Sequence, residues 1–168
     1  MKTIHINTPV NQNQLKDLQA GDKVLISGTI YTARDAAHKR IIHALENNNP
    51  LPFDLTNQII YYCGPTPARE EFPIGSAGPT TSTRMDEYTP TLLDKGVKLL
   101  IGKGERSEQV IASLRKNNAY YLIAIGGAGA YYASTILSSK LIAWPDLGAE
   151  AVYQLEVKDF ICFVSNQM

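Results

Sequence analysis

The sequence predicts an α/β layered fold with a mixed, largely parallel central sheet. Strand-like segments alternate with helix-like ones along nearly the whole chain, the pattern that links parallel strands through helical crossovers. The run from Val97 to Ile101 is dominated by apolar residues, as a strand covered on both faces requires. Several junctions between strand and helix are rich in glycine, hydroxyls and cations. Folds of this class bind ligands outside the carboxyl ends of their strands.

Taken in order, Lys2 to Asn7 alternates as a short strand, and Gln12 to Leu18 reads as a helical turn closed by Gly21-Asp22. Lys23 to Thr32 is a strand marked by Val24, Ile26 and Ile30. A helix is expected from about Arg34 to Asn47, with Ala37, Ile41, Ala44 and Leu45 on its apolar face. Ile59 to Cys63 forms the next strand, and Pro65, Pro67 and Pro73 break regular structure after it. A helix is expected over about Thr81 to Lys95, with Pro90 straining or splitting it. Val97 to Ile101 is the buried strand. Ser107 caps a helix to about Lys116, and Asn117-Asn118 turns the chain into the strand Tyr120 to Ile125. Gly126-Gly-Ala-Gly129 opens a small-residue helix expected to reach Ser138. Leu141 to Trp144 is a short strand. Val152 to Val157 and Phe160 to Ser165 read as a closing pair with a turn at Lys158-Asp159.

The 168 residues suit one domain, 1–168, with a real core. Sixteen Lys and Arg balance sixteen Asp and Glu, so no global field draws the chain to nucleic acid or an anionic membrane. Apolar runs such as Tyr120 to Ala124 are too short to span a bilayer. The first residues lack an apolar signal region, and the expectation is a cytoplasmic protein. Two cysteines, Cys63 and Cys162, are too few for a disulfide framework or for an iron–sulfur cluster.

Four junctions carry the chemistry. At the first, Arg34 sits where a strand hands over to a helix. Its guanidinium can grip a carboxylate through two parallel hydrogen bonds, or simply pair with Asp35 or a neighbour. His38 reads as a helix-face histidine, with Lys39 and Arg40 at the surface. The second is the hydroxyl-rich loop from Gly75 to Asp86. Its threonines can cap the next helix, whose N-terminus favours anions, or Thr80 can face a substrate with Arg84 as a second grip. Arg84 has Asp86 and Glu87 as alternative partners. The third junction holds Lys103 between two glycines just past the buried strand. It is either a solvated turn or a cation aimed out of the sheet. The fourth, Gly126 to Gly129, resembles a dinucleotide fingerprint only in part. Tyr132 replaces the third glycine, so tight helix–sheet packing is the better reading. Together, Arg34, Arg84 and Lys103 would gather three cations at one end of one sheet, where a small dianion relieves their repulsion.

At these junctions the chain resembles the β subunit, or C-terminal domain, of class I iron–sulfur-dependent fumarate hydratases. The likeness rests on Ser27 to Arg40, Tyr62 to Ala68, Gly75 to Asp86, Ile101 to Gly104, and Trp144 to Gly148 with Glu150-Ala151-Val152. It covers nearly the whole chain. The β subunit of L-tartrate dehydratase is a close relative, but it tends to carry cysteines where this chain has Ala33 and Ala36-Ala37.

The resemblance implies a swivelling β/β/α domain that closes over a partner. It implies that Arg34 and Arg84 bind substrate carboxylates, that Thr80 is the substrate-facing catalytic threonine, and that Lys103 is the active-site lysine. It further implies a [4Fe-4S] cluster held by a separate α subunit, with no cofactor or metal ligand on this chain. The implied substrate is a small dicarboxylate such as fumarate or malate, and the implied assembly is a heteromer, such as a dimer of heterodimers. A tartrate-type dehydratase subunit and a non-catalytic anion-binding module stand as alternatives.

Overall fold

A computed structural model describes residues 1–167. Seven strands form one sheet: β1 (Thr3–Asn7), β2 (Lys23–Thr32), β3 (Ile59–Tyr61), β4 (Leu99–Gly102), β5 (Tyr120–Ile123), β6 (Ile136–Ala143) and β7 (Val152–Val164). Neighbouring strands from β1 to β5 pair in parallel, and β7 pairs antiparallel with β2, β5 and β6. The contact of β7 with both β2 and β5 closes β2, β3, β4, β5 and β7 into a ring. Strands β1 and β6 lie outside it. The fold is therefore α/β and layered, with a largely parallel sheet, as the residue pattern predicts.

Alternation along the strands sorts their side chains into two cores. Ile26, Tyr61, Ile101, Leu122 and Phe160 belong to the first. Ile60, Tyr62, Leu100 and Tyr121 point the other way, against α2 (Asp35–Glu46), α3 (Thr89–Asp94) and α4 (Glu108–Lys116). From these helices Ala37, Ile41, Leu92, Leu93, Val110 and Leu114 complete the second core. The short helices α1 (Gln12–Leu15) and α5 (Gly129–Ser134) contribute Leu15, Tyr132 and Ala133 to the first.

The structure corrects three sequence-based expectations. The helix expected over Thr81 to Lys95 is two pieces, a single 3-10 turn Ser82–Met85 and α3, with Pro90 in the first turn of α3. Proline starts this helix because its missing N–H is not needed there. The helix expected to reach Ser138 stops at Ser134, and Ile136 already begins β6, which pairs along β7. Lys158-Asp159 is not a hairpin turn. β7 runs on as one strand, and Asp159 takes a left-handed φ of 52° inside it. The register with β2 shifts between Ile26 and Gly28, and the Asp159 amide donates to Ser27 Oγ at 3.0 Å. Aspartate tolerates that conformation, so the same residues that suggested a turn build a bulge instead.

Candidate active site

Because β2 to β5 are parallel, their carboxyl ends lie on one side of the sheet, and the four junctions gather there. The second junction is fastened to the third by backbone. The Thr80 amide donates to Tyr62 O at 2.7 Å, just past β3. The Lys103 amide donates to Thr80 O at 3.3 Å, and the Ser82 amide donates to Lys103 O at 2.9 Å. Thr81 and Lys103 thereby form a parallel bridge. This small ladder puts Thr80 beside Lys103, although the sequence separates them widely.

Gly102 makes the ladder possible. A Cβ there would collide with Ser82 Oγ and lie 2.8 Å from a Tyr62 ring carbon. At the fourth junction, a Cβ on Gly129 would collide with Ser76 Oγ and meet the Gly78 amide nitrogen at 3.1 Å. Ala77 donates to Gly129 O at 3.0 Å. This glycine run serves close packing against the hydroxyl-rich loop. The buried Tyr132 hydroxyl ties the same region together, accepting from the Ile125 amide and donating to Ile161 O.

The anion cradle inferred from a helix N-terminus needs correction. Directly after Thr81 comes one 3-10 turn, too short for a helix field, and Thr81 makes no side-chain cap bond. The positive charge comes from side chains. Arg34 occupies the N-cap of α2, and its stem crosses Gly64, where a Cβ would lie 2.9 Å from Arg34 Cδ. One arm of Arg34 reaches Glu150 Oε1 at 3.3 Å. The second oxygen of Glu150 accepts from the Ala36 amide at 3.1 Å, so the carboxylate also caps α2.

Asp35 joins the two arginines. Arg84 Nε donates to Asp35 Oδ1 at 2.9 Å, while Arg34 Nε faces Asp35 Oδ2 at 3.7 Å, too far for a hydrogen bond. Arg84 therefore pairs with neither Asp86 nor Glu87. Arg34 Nε, Asp35 Oδ2 and His38 Nε2 are buried polar atoms with no partner among the described residues. Arg34 Nε and Asp35 Oδ2 face each other at 3.7 Å, a pair of unmet groups that a water or ligand could satisfy.

His38 is fully buried, and its Nδ1 donates to Arg34 O at 2.8 Å. Burial pushes its imidazole down to about 4, against the opposing effect of that bond. It is neutral at ordinary pH and props the Arg34 backbone.

Sequence reasoning missed Arg106. Its side chain is wholly buried, and Nε donates to Asp86 Oδ1 at 2.7 Å. Nothing local distinguishes it from a solvated loop cation. Asp35 and Glu150 were visible only as a neighbour of Arg34 and as part of a matched motif.

The thiols do not suit a cluster. Cys63 and Cys162 lie in the core, and burial pushes Cys63 up to about 12 and Cys162 well above its usual value. Ligation needs thiolates. Among the described residues no group of three His, Cys, Asp or Glu is placed to hold a metal ion. No helix of the described residues is long and apolar enough to cross a membrane.

Arg34, Thr80, Arg84 and Lys103 do not line the neighbouring concavities. One of about 350 Å³ lies between Arg69, Phe72 and Ala133. Another of about 420 Å³ runs from Pro65 to Ala68 and on to Tyr153. The Arg84 side chain is half exposed. Fold and site together define an α/β domain with two arginines around Asp35 and the Thr80–Lys103 backbone ladder at the carboxyl ends of its parallel strands.

The chain matches the family described as Fumarase C-terminus over residues 1–167, and it belongs to that family. It is similar to fumarate hydratase 2 of Leishmania major, 37% identical over 165 residues, 96% of this chain and 29% of the relative. It is 35% identical to the aerobic class I fumarate hydratase of Escherichia coli K12, covering 96% of this chain and 30% of that protein. A Methanocaldococcus jannaschii protein named as an L(+)-tartrate dehydratase subunit beta is 36% identical over 90% of this chain and 80% of its own length. The chain thus falls in a hydro-lyase family, and spans about a third of the length of the fumarate hydratases it matches.

Proposed function

We propose that this chain is the substrate-gripping β component of a two-subunit hydro-lyase that interconverts fumarate and (S)-malate. The observation that carries the reading is the joined pair of arginines, Arg34 and Arg84 sharing Asp35, beside the Thr80–Lys103 ladder. In malate, the proton at C3 is very weakly acidic, and its removal builds negative charge on the adjacent carboxylate. Fixed cations aimed at that carboxylate lower the barrier most effectively when they need no reorganisation. Arg34 and Arg84 bind the carboxylates, each with donors left after its pairing with Asp35. Lys103 adds a point charge, held by backbone bonds on both sides of its residue.

Thr80 is the group on this chain for proton transfer at C3. Its amide and carbonyl are committed to Tyr62 and Lys103, which fixes the direction of its side chain. A threonine hydroxyl is a weak base, so it relays or positions the proton with help from a partner residue. The [4Fe-4S] cluster, for which no group of three His, Cys, Asp or Glu is placed among the described residues, belongs in this reading to an α subunit that covers the arginines. We take the working unit to be this domain, 1–168, closing by a swivel over that subunit in the cytoplasm, with dimers of heterodimers as its assembly.

A tartrate-type dehydratase is the second reading, favoured by the beta-subunit relative that this chain covers over 80% of its length. Co-expression with a cluster-bearing α subunit tests both. Fumarate hydration is expected only from the mixture, with tartrate turned over more slowly. Full activity from the isolated chain overturns the two-subunit reading, and preferential turnover of tartrate selects the alternative.

A further inference from the structure

Arg106 is buried, and its contacts reach both ends of the β3–α3 connection, the start of α3 and strand β5. Its Nε donates to Asp86 Oδ1 at 2.7 Å, two residues beyond Arg84. Its terminal nitrogens donate to Thr89 Oγ1 at 2.6 Å and to the Tyr62 hydroxyl at 3.2 Å. The guanidinium lies 5.2 Å from the Tyr62 ring centre and 5.0 Å from that of Tyr121. The Tyr121 hydroxyl donates to Gly104 O at 2.8 Å and contacts Ser82 Oγ at 2.9 Å. Asp86 Oδ2 accepts from the Ser107 amide at 2.8 Å.

Tyr62 and Tyr121 each lead to a site residue. Tyr62 O holds the Thr80 amide, Ser82 is bonded to Lys103 O, and Gly104 is next to Lys103 in the chain. Fully buried arginines are rare because the charge must be both paired and hydrogen-bonded. Here the planar fork meets three separate acceptors and two aromatic faces, a set that an ammonium on a flexible stem cannot reproduce.

We propose that Arg106 is a positioning residue that holds the Thr80–Arg84 loop in register with Lys103. Its kinetic consequence rests on the hydro-lyase reading, while its structural consequence does not. Arg106 touches no substrate in this arrangement. It acts through Asp86, Tyr62 and Tyr121.

The test uses Arg106→Lys and Tyr62→Phe, which keeps the ring and backbone and removes one acceptor of the guanidinium, each studied as the free chain and as the assembled enzyme. Hydrogen exchange in the free chain reads the ladder directly. The Thr80, Ser82 and Lys103 amides are expected to exchange about tenfold faster or more in both variants, with the β1–β2 amides unchanged. In the assembled enzyme, kcat per folded molecule is expected to fall about tenfold or more, with a smaller change in KM. A role confined to stability would lower the folded fraction and leave kcat per folded molecule untouched. Wild-type exchange at these amides in folded variants overturns the proposal. If Arg106→Lys does not fold, Tyr62→Phe decides it alone. If the wild-type assembly shows no hydro-lyase activity, the functional reading fails, and the exchange data still decide the role of Arg106.

Discussion

Arg84 Nε donates to Asp35 Oδ1 across 2.9 Å, although 49 positions separate Asp35, at the start of α2, from Arg84, in the 3-10 turn. Asp35 also faces Arg34, so one carboxylate sits between two guanidiniums and offsets their repulsion. The arginines can then stand side by side without a bound anion, and the proposed dicarboxylate grip would be assembled before substrate arrives.

Arg34→Lys and Arg84→Lys each keep the charge and lose the planar two-point grip. Catalytic efficiency of the assembled enzyme should fall at least tenfold for each, about 1.4 kcal/mol of transition-state binding. Steady-state kinetics measures this directly. A change within about twofold, ~0.4 kcal/mol, would remove the residue from the proposed grip.

Thr80→Val keeps the shape of the side chain and both backbone bonds of the ladder. Only the hydroxyl is lost. Turnover should drop about a hundredfold while KM stays within a few-fold, as removal of a proton-transfer group requires. Near-normal turnover in the assembled enzyme would rule Thr80 out of that role.

Gly102→Ala drives a methyl into Ser82 Oγ and within 2.8 Å of the Tyr62 ring. Neither neighbour has room, since both are buried. Overpacking of this kind costs about 1–3 kcal/mol, and urea unfolding should show it as a lower midpoint with an unchanged slope. A midpoint equal to wild type would mean that the Ser82 loop moves aside freely.

His38 makes stability depend on pH. Its folded value of about 4 lies below the usual 6.5, chiefly through burial. The unfolded chain therefore binds more protons between those values, and stability rises with pH across that window. The contribution is complete above pH 6.5, is lost as pH falls toward 4, and is flat below. The full effect is about 3 kcal/mol. His38→Asn should flatten the difference in unfolding free energy between pH 6.5 and 4. An unaltered slope in that variant would show that His38 is protonated without penalty.

The elements that depend on local pattern were readable in the residues. The periodicities of β2, α2, β4 and α4 are short-range properties, and so are Ser107 as a cap and Gly102 as a tight position. The glycine and hydroxyl signals at the junctions correctly marked the carboxyl ends of the parallel strands. Pro90 and Lys158-Asp159 were visible too, but each allows two outcomes. Proline can break a helix or begin one. An aspartate with left-handed φ can turn a chain or bulge a strand. β7 takes the second outcome because β2 is there to pair with on both sides of Asp159.

The sequence by itself determined which residue types meet at the ends of the strands, because parallel topology sends every such junction to one side. Only the tertiary structure decided their partners. Arg84 turns to Asp35 rather than to its neighbours Asp86 and Glu87, and Asp86 is taken by a buried Arg106. Those choices arise where loops distant in sequence are brought within a few ångströms. They depend on ring closure by β7 and the zipping of Thr80 to Lys103, contacts whose energy no local segment contains.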